Sequence, residues 1–248
     1  PGMKQPLFTS GLGDFVAVKV NAFAPRFALA DIWNTGDAAK REKLRQEELE
    51  EVPAKPGGPA TVLETPHTIR YTQPLEHPRL AWATRQLEVW KRQPRARLTF
   101  RLNRLSSFAP ELFYILSPLP CDGTLPRMSC GGLPFTPFTD QLRGSCRDYY
   151  AIDGWADYSL PDGHWLWVSA DAPLVTFDRP QALAHLTQPP TRTGRLLAMI
   201  YNNFWYTNFI GDEPGVMEFQ FDLVWRGDAL GDAAALTEAL MSEPVVVI

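Results

Sequence analysis

Hydrophobic and polar residues alternate along two stretches of this chain. Over residues 97–102, the apolar side chains Leu98, Phe100 and Leu102 are separated by arginine and threonine. Over residues 217–225, every second position is a large apolar residue, and all but one of the positions between them are polar. Successive side chains of a strand point to opposite faces, so this spacing predicts two strands that each have one core face and one wet face.

Short apolar runs bounded by proline, glycine and other turn residues predict further strands. One such run, residues 15–20, lies near the start of the chain. The others occupy residues 111–116, 149–158, 164–169, 174–178 and 195–201. Many short strands that do not alternate with helices are typical of an all-β protein. The sequence therefore predicts an antiparallel β-sandwich.

Two segments have the composition of short helices. Residues 37–52 combine strong helix formers with charges of both signs at i, i+3 and i+4 spacing, which predicts a charged helix near the start. Only Leu44 and Leu49 give this helix an apolar side, so we interpret it as a connector or a partner-facing arm. Near the end of the chain, Asp232 can cap a short helix, and residues 245–248 resemble a last strand.

A cluster of prolines and glycines over residues 53–60 interrupts the pattern. Such residues break regular structure, so we place a linker there. The predicted organisation is a strand, a charged helical arm and a Pro/Gly linker over residues 1–60, followed by a β-sandwich domain over residues 61–248.

The charge of the chain restricts its partners. Among its 248 residues, 24 are basic and 28 are acidic, which gives a net charge of −4. This balance leaves no surplus positive field for a polyphosphate, so we expect no nucleic-acid partner. The sequence has no run of about 18 apolar residues either, so we expect no membrane-spanning segment.

The three cysteines, Cys121, Cys130 and Cys146, have neither C-x-x-C spacing nor a neighbouring histidine. This pattern fits neither a complete disulfide framework nor a zinc knuckle. Free thiols in a reducing, cytoplasmic location are the expectation. A bridge between Cys121 and Cys130 around a glycine-rich turn is the alternative.

Three blocks of sequence together resemble a known family. The first comprises residues 96–102 and 110–115, the second residues 165–175, and the third residues 201–209 with the strand that follows at 217–225. In this order they resemble the carboxy-terminal β-sandwich region of glycoside hydrolase family 38, the α-mannosidases and their relatives. The resemblance covers residues 95 to 226 approximately, and it implies a sandwich of the super-sandwich type.

The resemblance also implies where the chemistry of such a protein lies. Family 38 enzymes are retaining glycosidases whose zinc ion, held by His and Asp side chains, and Asp nucleophile belong to an amino-terminal α/β domain. Of the four histidines here, at positions 67, 77, 164 and 185, none begins an H-x-D motif. We therefore carry over no zinc ligand and no nucleophile. Zinc is expected in the catalytic domain and no cofactor in this chain, and whether the chain is part of an active enzyme stays open.

The function that the resemblance implies is a supporting one. The β-sandwich is expected to pack against a catalytic α/β domain, in the same polypeptide or in a second chain, and to help close the sugar pocket, which makes carbohydrate a partner. A free-standing carbohydrate-binding module and a purely structural domain are the alternatives. A large apolar patch favours the first function, because a docking surface must be apolar, whereas an aromatic-lined groove without such a patch favours a binding module.

The third block supplies the candidate sugar-binding residues. Amide and hydroxyl groups can bond to sugar hydroxyls, and an aromatic ring can cover the apolar face of a pyranose. The alternative is that the asparagines satisfy backbone groups in a loop and that the aromatic rings belong to the core. The candidates are Asn202, Asn203, Trp205, Thr207 and Asn208.

Overall fold

The computed structural model describes residues 11–20, 36–182, 184–204, 211–227 and 232–242. Nearly all regular structure in these ranges is β-strand. The strands are β1 (Phe15–Val20), β2 (Leu49–Pro53), β3 (Lys55–Pro56), β4 (Thr61–Glu64), β5 (Thr68–Glu76), β6 (Leu80–Trp90), β7 (Arg95–Arg104), β8 (Glu111–Pro118), β9 (Arg127–Cys130), β10 (Leu133–Phe135), β11 (Tyr150–Ala151), β12 (Trp155–Leu160), β13 (Gly163–Val168), β14 (Leu174–Phe177), β15 (Arg195–Asn202) and β16 (Gly215–Arg226). The helices are α1 (Ala38–Glu48) and α2 (Ala233–Met241).

The strands form two antiparallel sheets of unequal size. The small sheet has six strands in the order β11-β14-β15-β8-β1-β2. The large sheet has ten strands, of which nine follow the order β10-β9-β12-β13-β16-β7-β6-β5-β3, while β4 pairs with β5. The prediction of an all-β antiparallel sandwich is confirmed.

The main core lies between the two sheets and follows the alternation seen in the sequence. On β16, Phe219, Phe221 and Leu223 are buried and pair with core positions of β7. Trp167 of the large sheet stacks on Phe221, and its indole Nε1–H donates to Ser117 Oγ of the small sheet at 3.0 Å. This buried hydrogen bond fixes how the two sheets lie on each other.

Strand β8 is buried over its whole length because both of its faces are covered. Phe113 and Ile115 point into the main core, whereas Tyr114 and Leu116 belong to a second hydrophobic cluster on the other side of the small sheet. The prediction of a buried strand at 111–116 is confirmed. The predicted run at 149–158 was wrong as a single strand, because Gly154, with φ of +93°, separates β11 in the small sheet from β12 in the large one.

The charged helix is present, but it is shorter than predicted. Asp37 caps α1, since its Oδ1 accepts hydrogen bonds from the backbone N–H groups of Ala39 and Lys40. The prediction that the helix continues to residue 52 was wrong, because residues 49–53 pair with β1 as an edge strand. Tertiary pairing overrides the helix propensity of this segment.

The structure also tests the predicted second helix and the predicted linker. Asp232 accepts from the backbone N–H of Ala234 at 3.0 Å and caps α2, as predicted. Residues 53–60 were wrongly predicted to lack regular structure, because they contain β3, which pairs with β5. The division of the chain at residue 60 stays a prediction, although β1 and β2 hydrogen-bond into the small sheet with β8. The predicted strand at 245–248 lies outside the described residues.

All three cysteines are free thiols, as predicted, and no bridge joins Cys121 to Cys130. Cys121 is buried in the main core, and burial raises the pKa of its thiol to about 12. Such a thiol is protonated at neutral pH and chemically inert.

Candidate functional site

Several strands end at the same edge of the sandwich where the candidate sugar-binding segment begins. Strand β15 ends at Asn202, which pairs with Leu112 near the start of β8. Strand β7 ends at Arg104, which pairs with the first residues of both β6 and β16, Leu80 and Gly215. We call this edge the Arg104 end.

Arg104 is the centre of a buried network of charges. Its guanidinium has no exposed surface, lies 3.2 Å from Glu111 Oε1 and forms an ion pair with the Asp212 carboxylate. The other oxygen of Glu111 lies 2.8 Å from Arg79 Nε. Asp212 also accepts a hydrogen bond of 2.5 Å from the Ser106 hydroxyl. Positive and negative groups thus alternate through the network, which is the arrangement that buried charges require.

The network joins the loops of this end to one another. Arg104 Nη2 donates to the carbonyl of Ser107 at 3.1 Å, and the backbone N–H of Ser107 donates to Asp212 Oδ1 at 3.2 Å. The Arg104 guanidinium also lies 3.9 Å from the ring centre of Tyr201. A cation held over an aromatic face gains a further attraction that strengthens when water is excluded. The loops that follow β7 and precede β16 are therefore held on one anchor.

The electrostatics of the network appear in the pKa values of its members. Hydrogen bonds from Ser106 and Arg104 lower the pKa of Asp212 to about 2. Burial raises the pKa of Tyr201 above its ordinary value. At neutral pH, Asp212 is therefore a carboxylate and Tyr201 a neutral phenol, which suits an ion-pairing and a ring-stacking role, respectively.

Asn203 is buried beside this network, and its amide bonds to backbone groups of neighbouring loops. Its Oδ1 accepts from the backbone N–H of Glu111 at 2.7 Å, and its Nδ2 donates to the carbonyl of Ala109 at 2.9 Å. The carbonyl of Gly211 also accepts from Nδ2 at 3.3 Å. Of the two alternatives for this residue, the geometry favours the structural one.

The other candidate residues are placed less completely. Asn202 is half-buried at the end of β15, and its Oδ1 accepts from the backbone N–H of Phe204 at 2.8 Å, as in an Asx turn. Trp205, Thr207 and Asn208 lie outside the described residues. Sugar binding by this segment stays a prediction.

Sequence reasoning missed the charged residues of the Arg104 end, although one signal was present. Arg104 continues the series of core positions at 98, 100 and 102, so it lies on the core-facing side of the strand, where an apolar residue is expected. Glu111 likewise begins the most buried strand of the small sheet. A charge in a core position predicts an opposite charge nearby, but sequence spacing alone does not identify it.

A second feature of the molecule is an apolar surface on the inner face of the large sheet. One row across this face runs from Phe221 and Leu98 in the core through Leu87 to Tyr71 and Val62. Leu98 is 1% exposed, Tyr71 42% and Val62 61%. The exposure rises along this row toward β4, whereas near the turn between β5 and β6 the inner-facing Leu75 and Ala83 are buried in the main core.

In the parallel row beside it, the half-buried Ile69 and Val89 lead to the core residues Ala96 and Leu223, and on β4 this row holds Glu64, which pairs with Lys91. We call the inner-facing residues Val62, Ile69, Tyr71, Leu87 and Val89 the uncovered inner face.

The outer face of the same strands carries a row of paired charged side chains. Arg70 pairs with Glu88 at 3.1 Å, and Arg97 pairs with Asp222 at 2.8 Å along a single row. The outer row carries these ion pairs beside the exposed Leu63. The inner face carries the large apolar side chains named above, together with the ion pairs of Arg85 with Asp14 and of Lys91 with Glu64. An exposed apolar surface that continues a core is a place for another body to bind.

Within the described ranges, no group of three or more His, Cys, Asp or Glu side chains is arranged to hold a metal ion. The same ranges contain no helix long and apolar enough to cross a membrane.

Comparisons with known proteins support the fold at low sequence identity. An α-mannosidase from Enterococcus faecalis V583 superposes with a TM-score of 0.57 and 8% identity over 88% of this chain and 26% of its own. A protein of glycosyl hydrolase family 38 from Enterococcus faecalis gives 0.55 and 8% over the same shares. No protein-family model and no curated protein match the chain. The resemblance is confirmed at the level of the fold, and the chain spans about a quarter of each solved chain.

Proposed function

We propose that this chain is the non-catalytic β-sandwich portion of an α-mannosidase-like glycoside hydrolase. In that role it supports a catalytic α/β domain, in the same polypeptide or a second chain, and helps to close the sugar pocket. The fold likeness supports the proposal, since it covers 88% of this chain but 26% of a solved α-mannosidase.

The observation that carries the proposal is the uncovered inner face. Val62 and Tyr71 are exposed although they continue a row that is fully buried at Leu98. Burying a large apolar side chain contributes roughly 1.5–3 kcal/mol, so a domain that covers this row gains stability from each residue. On the outer face of the same strands, the exposed Leu63 lies in a row of ion pairs and continues no core. The catalytic domain is therefore assigned to the inner side of β4, β5 and β6.

The Arg104 end is assigned to the sugar pocket. Its network holds the loops before β8 and after β15 against each other, which provides a rigid base for binding groups. In this proposal, Asn203 positions the segment through backbone hydrogen bonds. Asn202, Trp205, Thr207 and Asn208 supply the contacts to carbohydrate. In this proposal, any zinc belongs to the catalytic domain.

Footprinting with hydroxyl radicals tests the docking surface. The coding region on both sides of this segment is sequenced, and the encoded polypeptide, with any partner chain, is compared with the 248-residue chain. We expect Tyr71 to react in the short chain and to be protected in the complete protein. Met241, 43% exposed on α2 against 42% for Tyr71, is the matched control that should react in both. Equal reactivity of Tyr71 in the two proteins would refute the assignment.

Hydrolysis of an aryl α-mannoside provides the second readout. The 248-residue chain is expected to release no product above a buffer blank, with or without added zinc, whereas the complete protein is expected to be active. Turnover by the short chain that disappears on chelation contradicts the non-catalytic role.

A further inference from the structure

A cleft of about 430 Å³ lies where the chain passes from the small sheet to the edge of the large one. Its walls come from the end of β2, from β3, and from the turn between β5 and β6. This volume is within the range of small-molecule sites, roughly 300–1,000 Å³. Trp82, Lys55, Glu76, His77, Leu75 and Leu80 are among the residues that line it.

Trp82 is the most exposed tryptophan in the described ranges, with 42% of its surface accessible. Its ring makes no aromatic contact and its indole N–H has no hydrogen-bond partner among the described residues. A tryptophan is usually placed where its large apolar ring is covered, and its N–H bonded when buried. A ring left open beside a cleft is thus available to a ligand with an apolar face.

Two charged side chains stand at the rim of the same cleft. Lys55 and Glu76 face each other across β3 and β5. Both are exposed, and neither forms an ion pair or hydrogen bond with any residue that the structure describes. The ammonium group can donate and the carboxylate can accept hydrogen bonds. Together they offer donors and acceptors without a net charge, which favours a neutral polar ligand over an anion or a cation.

Buried residues also line the cleft. His77 is buried, and its ring packs edge-on against Phe15 with centroids 5.0 Å apart. Its Nδ1 accepts from the backbone N–H of Arg79 at 3.1 Å, and burial lowers its pKa, so the ring is neutral at physiological pH. Leu75 and Leu80 line the cleft and belong to the main core. The cleft thus combines an exposed aromatic ring and two exposed charged side chains with buried residues that the core holds in place, which is a preorganised arrangement.

We propose that this cleft binds a neutral pyranose unit of a carbohydrate. The apolar C–H face of the sugar stacks on Trp82, and its hydroxyls bond to Glu76 and Lys55. The site does not include any of the candidate residues 202–208, and the proposal does not depend on a catalytic domain. It gives the chain its own contact with carbohydrate, outside the pocket assigned to the Arg104 end.

Saturation-transfer NMR and calorimetry on the 248-residue chain test this site. The probes are methyl α-D-mannopyranoside, methyl β-D-glucopyranoside and an α-linked mannobiose, each titrated into the millimolar range. We expect at least one of them to bind, with saturation transferred mainly to the ring protons of one sugar face. If none of the three binds, the proposal is wrong, whereas the footprint of Tyr71 is unaffected by that result.

Matched variants locate the binding. Trp82→Ala is expected to weaken binding by about tenfold or more through loss of the stacking platform, and Trp82→Phe to retain part of it. Glu76→Gln is expected to weaken binding by about two- to tenfold, because one hydrogen bond to a hydroxyl loses strength. Tyr71→Ala, which removes an aromatic ring of equal exposure outside the cleft, should bind as the parent does. Unchanged binding by a folded Trp82→Ala chain, checked by its near-ultraviolet circular dichroism, overturns the proposal.

Discussion

The Arg104 end and the uncovered inner face depart from ordinary burial in opposite directions. At the Arg104 end, charged groups are removed from water, yet Arg104 has carboxylates on two sides and an aromatic ring against it. On the inner face, Val62 and Tyr71 stay in water although they continue the core. The buried charges are compensated by partners within the chain, whereas the exposed apolar residues have no covering partner among the described residues. We therefore expect the first region to control the stability of this chain and the second to control its association.

The largest effect is expected from Arg104→Ala. Removing one member of a buried ion pair leaves its partners without compensation, which typically destabilises by about 3–5 kcal/mol. Urea unfolding of the isolated chain measures this loss. Arg101→Ala is the control, since Arg101 pairs with Glu218 on the exposed face at 2.7 Å and such pairs contribute about 0–1 kcal/mol. Similar losses for the two variants would show that the network is not a stabilising anchor.

Asn203→Ala is expected to have the next largest effect. The change removes the acceptor of the Glu111 N–H and the donor to the Ala109 carbonyl, which leaves buried backbone groups unsatisfied. The expected loss is about 1–3 kcal/mol. Asn202→Ala removes a single half-buried bond and should cost about 0.5–1.5 kcal/mol. Thermal melts of both variants test the order, and a larger loss for Asn202 would reverse our assignment of the two roles.

A pH titration of stability sharpens the comparison at the Arg104 end. The folded-state pKa of Asp212 is lowered to about 2 from an ordinary 3.8. Its carboxylate therefore contributes stability that is fully present above pH 3.8 and is lost as the pH falls toward 2. Asp212→Asn should flatten the acid limb of the stability curve in this window and leave its shape above pH 5 unchanged. An identical acid limb in the variant would contradict the lowered pKa.

Sequence reasoning succeeds here where one face of a strand is covered and the other is wet. The prediction that Phe100 and Phe221 point to the core was correct, because each of their strands has one buried and one exposed face. The sequence pattern did not predict β5 or β6. Residues on both faces of these strands are partly exposed, so their hydrophobic alternation is weak. The helix was extended into β2 for a different reason, since an edge strand is held by its neighbour and not by its own composition.

In the candidate site, too, the sequence predicts properties of single residues but not the contacts between residues far apart in the chain. The residues that hold the Arg104 end together, Arg104, Glu111 and Asp212, are separated by up to 108 positions and meet only through the fold. Asn203 was identified from its local sequence, but its role depends on backbone groups 92 to 94 positions away. Spacing along a chain predicts the face on which a residue lies, whereas partners across two sheets require the register of both.

The smallest effect on stability is expected on the uncovered inner face. Val62 and Leu98 lie in one row, with exposed fractions of 61% and 1%. Val62→Ser should change the free energy of unfolding of the isolated chain by no more than about 0.5 kcal/mol, as surface substitutions do. Leu98→Ala should cost about 2–5 kcal/mol, because it opens a cavity in the core. In the complete protein, Val62→Ser should instead weaken docking, measured as renewed radical reactivity of Tyr71. A Val62→Ser variant that unfolds as readily as Leu98→Ala would show that this row is already covered within the chain, and the contrast between the two regions would be lost.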